Sequence, residues 1–192
     1  EAPLALYTTG RLTSEMVIKS AQMGVPFVIS RSGIKSWAHR WLIGERVAES
    51  RMAAAAACFA ETFVAAHALL GARAALGNDA ALGRRLVIAS ASHRFYVRAI
   101  AAKLGVADVV ATEAVRRGGW LTSRLAGENC YGAAKRRALE AWLAREGLEG
   151  AVVHFTSDHH SDVPCFELAL ESGGTVLCAH PSAKLAAIAV ER

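Results

Sequence analysis

The 192-residue sequence has four cysteines, Cys58, Cys130, Cys165 and Cys178, but no C-x-x-C pair and no zinc-like spacing. That pattern argues against a metal knuckle or a disulfide framework, and four free thiols fit a reducing cytoplasm. Also missing is any run of ~20 uninterrupted apolar residues, the length a membrane span needs. The most apolar stretch, Met52 to Gly77, is broken by Glu61, His67 and Arg73, and reads as a helix buried against protein. The start, Glu1-Ala-Pro-Leu-Ala-Leu-Tyr7, has no initiator Met and no basic region before an apolar run. This argues against a signal peptide and suggests a truncated or trimmed chain. No basic run interleaves with aromatics, so the net charge of +5 does not point to nucleic acid as a partner. The arginines read as solvated helix faces whose positive potential would suit a phosphorylated substrate.

An apolar fraction of 53% with 20% charged residues suits a globular domain rather than a disordered one. From residue 86 the pattern alternates. Apolar, β-rich runs at Leu86–Ser90, Val109–Thr112, Ala151–Ser157 and Thr175–His180 are separated by helical stretches at His93–Leu104, Ala133–Glu146 and Val163–Glu171, with a further helix from Ser182. Strands alternating with helices of this length imply βαβ units and a Rossmann-like parallel sheet with helices on both faces, an α/β class. Residues 118–132 read as a Gly-rich connection. Met52–Leu82 reads as one or two helices with breaks at Gly71 and Gly77. Leu4–Thr8, Ser14–Met23 and Pro26–Ser30 form a smaller β-α-β pattern near the start.

In doubly wound sheets, ligands bind beyond the carboxyl ends of the strands. Ser90-Ala91-Ser92 places a hydroxyl and following N–H groups where a strand turns into a helix, a place that can hold a phosphate oxygen or simply cap the helix. Lys135 falls in the first turn of a helix, where a cation is electrostatically misplaced unless an anion or carboxylate lies nearby. Asp158 and Asp162 stand four residues apart after an apolar strand. Carboxylates so placed suit Mg²⁺, a hard cation that bridges to phosphate, while Asp162 could equally cap the following helix. His159 and His160 read as polar residues of an active-site rim, and His154 as a satisfied core histidine. Asp158-His159-His160 spells the signature of a manganese phosphoesterase family, whose other acidic motifs are absent.

Taken in order, Ser90, Lys135 within G-x-x-C-Y-G-x-x-K, and the pair Asp158 and Asp162 resemble the haloacid-dehalogenase superfamily, in particular its phosphoserine-phosphatase-like IB subfamily. The resemblance takes in Phe95-Tyr96 and Pro181-x-x-Lys184-Leu185 and covers about residues 37–192. It implies hydrolysis of a small phosphorylated metabolite through an aspartyl-phosphate. Ser90, with Ala91 and Ser92, would bind the phosphoryl group, Lys135 would neutralise it, His159 would line the substrate, and Asp158 and Asp162 would hold Mg²⁺. The family's nucleophile is the first Asp of a D-x-D-G-T motif, and no D-x-D occurs in this sequence. The remaining aspartates, Asp79 and Asp108, do not follow an apolar strand. Pro26-Phe-Val-Ile-Ser30-Arg31-Ser32-Gly33 offers a strand and a Gly with serines at both acidic places, and is expected to pair beside the strand ending at Ser90 or Ser157.

About residues 1–33, within an expected N-terminal domain over residues 1–36, resemble something else. Tyr7-Thr-Thr-Gly-Arg11-Leu-Thr-Ser-Glu15 through Lys19, Pro26 and Ser30-Arg31-Ser32 is similar to the C-terminal region of the formate dehydrogenase accessory sulfurtransferase family. The segment has no cysteine, so that family's sulfur chemistry does not carry over, and Arg11, Ser14, Glu15 and Lys19 would be scaffold or pocket residues. The expected organisation is therefore a fusion, with a junction between Gly33 and Gly44 and a short cap. Three functions stay open: an impaired phosphatase, a sulfurtransferase-related fragment, and a non-catalytic phosphate- or Mg²⁺-binding remnant.

Overall fold

In a computed structural model, residues 5–8, 27–30, 46–68, 70–178, 184 and 186–187 are described. The chain divides into two units, Glu1–Glu128 and Asn129–Arg192. In the first, β1 (Ala5–Thr8) pairs in parallel with β2 (Phe27–Ser30), with Thr8 opposite Ser30. The described partner of Phe27–Ser30 is thus β1, rather than the strands ending near Ser90 or Ser157 as expected. Ser32, Arg11, Ser14, Glu15 and Lys19 lie outside the described residues.

Next come β3 (Arg46–Ala48), α1 (Glu49–His67) and α2 (Leu70–Ala81). Met52, Ala56, Ala60 and Val64 recur every four residues and are the buried stripe of α1. The expected breaks at Gly71 and Gly77 both fall inside α2, and the real break is Ala68, whose backbone is extended at ψ 102°. Glycine costs a helix ~1 kcal/mol, too little alone to end one.

A βαβ unit follows: β4 (Val87–His93), α3 (Arg94–Lys103) and β5 (Asp108–Thr112), with β4 and β5 parallel. Ala56 of α1 packs with Tyr96, Val97, Ala101, Val106 and Val109 in one core, and Phe59 meets Tyr96 edge-on at 6.1 Å. The stretch read as a Gly-rich connection is largely a hairpin, β6 (Ala114–Arg117) and β7 (Trp120–Leu125), turned at Gly118 and Gly119. Both glycines have positive φ, 54° and 79°, as a two-residue turn of right-handed twist demands. β3 joins β7 antiparallel, giving the order β3-β7-β6, and Leu121 is buried with Met52 and Ala114 beneath it.

The second unit holds α4 (Ala133–Arg145), β8 (Phe155–Ser157), α5 (Val163–Glu171) and β9 (Val176–Cys178), with β8 and β9 parallel. Cys165, Phe166 and Ala169 are the buried face of α5, and Phe155 packs edge-on against Phe166 at 5.7 Å. Glycine is required at 174, where a Cβ would stand 1.9 Å from the Val153 carbonyl oxygen. The parallel pairs β4–β5, joined through α3, and β8–β9, joined through α5, are βαβ units of a Rossmann-like α/β fold.

Candidate active site

Gly132 delivers the chain into α4 at φ 58° and ψ −131°, a backbone open in practice only to glycine, and caps the helix with no side chain. No acidic residue occupies the first turn of α4. Lys135 sits there nonetheless, buried, and its Nζ donates to Asp162 Oδ1 at 2.5 Å. Both side chains are 8% exposed. The carboxylate offsets the repulsion between an ammonium and the positive end of the helix dipole.

Asp162 is placed by the strand that precedes it. Ser157, the last residue of β8, donates its Oγ to Asp162 Oδ2 at 2.7 Å and accepts from the His159 backbone N–H at 3.2 Å. A single 3₁₀ turn, His160–Asp162, then leads into α5. Asp162 makes no side-chain cap to α5, so the capping alternative gives way to an ion pair. His159 Nδ1 accepts from the Ser161 N–H at 3.1 Å and meets Ser161 Oγ at 2.8 Å, its ring lies tilted with its centroid 4.2 Å from that of His160, and the Tyr131 ring lies 6.4 Å from it. Asp158 is half-buried between Ser157 and this turn. Beneath them Cys165 is completely buried, and removal from water pushes its thiol up to about 12.

In the first unit Ser90 is not the last residue of its strand, because β4 runs on to His93 past an irregularity after Ser90. Ser90 Oγ accepts from the Ser92 N–H at 3.2 Å, the Ala91 carbonyl accepts from Thr112 Oγ1 at 2.8 Å, and Ser92 is buried. The Ser90-Ala91-Ser92 turn is therefore pinned on both sides. Asp79 and Asp108 are tied into ion pairs with Arg84 and Arg85. His154 is satisfied, by Thr175 at 2.7 Å, but at the surface rather than in the core as expected.

Sequence reasoning missed Ser157, whose only signal is a hydroxyl at a strand end next to a carboxylate. It also did not name the donors to Asp162, which are Lys135 and Ser157. Both oxygens of Asp162 are already engaged, and among the described residues no group of three or more His, Cys, Asp and Glu side chains could hold a metal ion. Asp158 and Asp162 by themselves do not complete such a group.

The chain matches the haloacid dehalogenase-like hydrolase family over residues 9–167. It belongs to that family. This haloacid dehalogenase-like fold carries Lys135 and Asp162 on the order of elements expected from sequence. The family match takes in residues 9–36, the segment read as a sulfurtransferase fragment, and none of these comparisons supports a fusion. No curated protein matches the chain. Among solved structures, a protein of unknown function from Bordetella pertussis Tohama I superposes with a TM-score of 0.71 at 23% identity, over 93% of this chain and 77% of that one. A probable phosphoserine phosphatase from Vibrio cholerae gives 0.53 at 15% identity, over 96% and 58%. A haloacid dehalogenase family hydrolase from Salmonella enterica serovar Typhi gives 0.50 at 15% identity, over 81% and 50%. The chain thus spans 58% and 50% of the last two, and at these identities the likeness is one of fold.

Proposed function

We propose that this chain is a phosphate-binding hydrolase body for a small phosphorylated metabolite, with turnover crippled by the missing D-x-D. The buried Lys135–Asp162 pair carries the reading. A lysine kept out of water at a helix N-terminus is costly unless it serves an anion, and an ammonium has three N–H groups of which Asp162 takes one. The remaining donors and the helix end suit the charge of a phosphoryl oxygen. Asp162, held by Ser157, positions Lys135, and His159 lines the substrate. Mg²⁺, implied by the family resemblance, would meet the carboxylates of Asp158 and Asp162 and keep water elsewhere. With no D-x-D in the sequence the family's covalent step lacks its nucleophile, and removing such a nucleophile costs roughly 10⁴ to 10⁶ in rate.

The test pairs binding with turnover. Calorimetry should show inorganic phosphate binding with or without Mg²⁺, about tenfold weaker in Lys135→Met/Asp162→Leu, in which the buried charge pair is removed whole. Hydrolysis of an aryl phosphate should be near background. No phosphate binding to the wild-type chain would leave an inert remnant; turnover near ~1 s⁻¹ lost in Asp158→Asn would mean that another residue attacks.

A further inference from the structure

The basic residues are scattered in sequence, but the antiparallel sheet gathers them. The strands and turn of that sheet, residues 46–48 and 114–125, carry Arg46, Arg116, Arg117 and Arg124 and no acidic residue, a charge of +4 in a chain of net +5. In the sheet Arg117 lies directly opposite Trp120, and Arg46 opposite Thr122, two residues further along β7. Trp120, Thr122, Arg46 and Arg117 therefore share one face, while Leu121 points the other way into the core. That face is open: Trp120 is 39% exposed, and Arg46, Arg117 and Arg124 are exposed. The Arg46 guanidinium lies over the Trp120 ring at 4.8 Å. Arg116 is neutralised by Glu49 at 2.9 Å, but among the described residues Arg117 and Arg124 form no ion pair.

From this arrangement we infer that the β3-β7-β6 face binds single-stranded nucleic acid. A planar indole and a guanidinium stacked on it offer flat surfaces for a base, and bases stack on both groups. Neighbouring strands stand ~4.8 Å apart and alternate residues along a strand ~6.8 Å, so the unpaired arginines around the stack fall at spacings a flexible phosphate backbone can follow. A lipid surface is the weaker fit, because interfacial binding scales with buried apolar area and Trp120 is the one large exposed apolar side chain of this sheet. The proposal stands apart from the phosphate site and does not depend on it.

Fluorescence anisotropy with a labelled 15-nucleotide oligothymidylate tests it on the full chain. At about 50 mM salt the Kd should fall in the tens of micromolar, with a log–log salt slope near −2, as about three phosphate contacts require. Trp120→Ala should weaken binding about tenfold. Arg46→Gln/Arg117→Gln/Arg124→Gln should abolish it, while Arg73→Gln/Arg98→Gln/Arg145→Gln, removing the same charge elsewhere, should leave it within twofold. No binding below about 1 mM would overturn the inference, as would equal losses in the two triple variants. So would binding to phosphatidylglycerol vesicles but not to the oligonucleotide.

Discussion

Lys135–Asp162 in the second unit and Arg84–Asp79 in the first are nearly the same chemical object, a cation and an aspartate 2.5 and 2.6 Å apart. Their surroundings differ completely. Side chains are 8% exposed in the first pair, against 44% and 37% in the second. Water screens the Arg84 pair and would solvate either partner if the other were lost, so its contribution is small. Among the described residues Lys135 and Asp162 have only each other and the Ser157 hydroxyl as side-chain partners, so each is hostage to its partner. Burial, not distance, decides what an ion pair does.

The sharpest way to break this comparison is to remove one partner at a time. Asp162→Ala should cost about 3–5 kcal/mol by stranding a buried ammonium, whereas Asp79→Ala should cost less than ~1 kcal/mol. Replacing both buried charges, Lys135→Met/Asp162→Leu, should recover most of the loss. Urea midpoints at constant m give all three. A double variant as unstable as Asp162→Ala would show that the pair itself, not the stranded charge, holds the second unit.

Glycines extend the same contrast. Gly174→Ala drives a Cβ into the Val153 carbonyl and should cost about 3 kcal/mol, since backbone atoms are on both sides of the clash. Gly77, inside α2, has nothing within 4 Å of its would-be Cβ. Gly77→Ala should therefore stabilise by about 0.5–1 kcal/mol through helix propensity and a stiffer unfolded chain. A thermal melt of each distinguishes them by sign, and a destabilised Gly77→Ala would mean that α2 is not helical there in solution.

Much of this was legible before any coordinates. Alternating apolar runs and helical stretches put β4, α3, β5, α4, β8 and α5 in their places, because period-2 and period-3.6 patterns report which faces are buried. The helix dipole also foretold a carboxylate near Lys135. The hairpin was not legible, because Arg116-Arg117-Gly118-Gly119 interrupts the apolar alternation, although Gly-Gly is itself a hairpin signal. The partners of Asp162 were not legible for a different reason: spacing shows that two carboxylates are near each other, not which donors their oxygens accept from. Likewise the basic face exists only once β3 is laid beside β7, some seventy residues later in the chain.

The smallest expected effect concerns two cysteines, Cys165 buried in the second unit and Cys58 exposed in the first. Burial raises the Cys165 thiol from 9.0 to about 12, so the folded state resists losing this proton more than the unfolded state does. A raised folded pKa gives stability that is complete below the unfolded value and lost as pH climbs from there toward the folded one. At pH 9, where half of the unfolded thiols are ionised, the loss is RT ln 2, about 0.4 kcal/mol, relative to pH 7. Cys165→Ala should lower the midpoint at both pH values by creating a cavity, yet abolish this part of the difference between them. Cys58→Ser should keep it. Iodoacetamide at pH 8 should label Cys58 in the folded protein and leave Cys165 unmodified, because the thiolate is the reactive form and Cys165 is shut away from the reagent. Rapid labelling of Cys165 under those conditions would show that the second unit opens locally, and that the burial on which its ion pair depends is not maintained in solution.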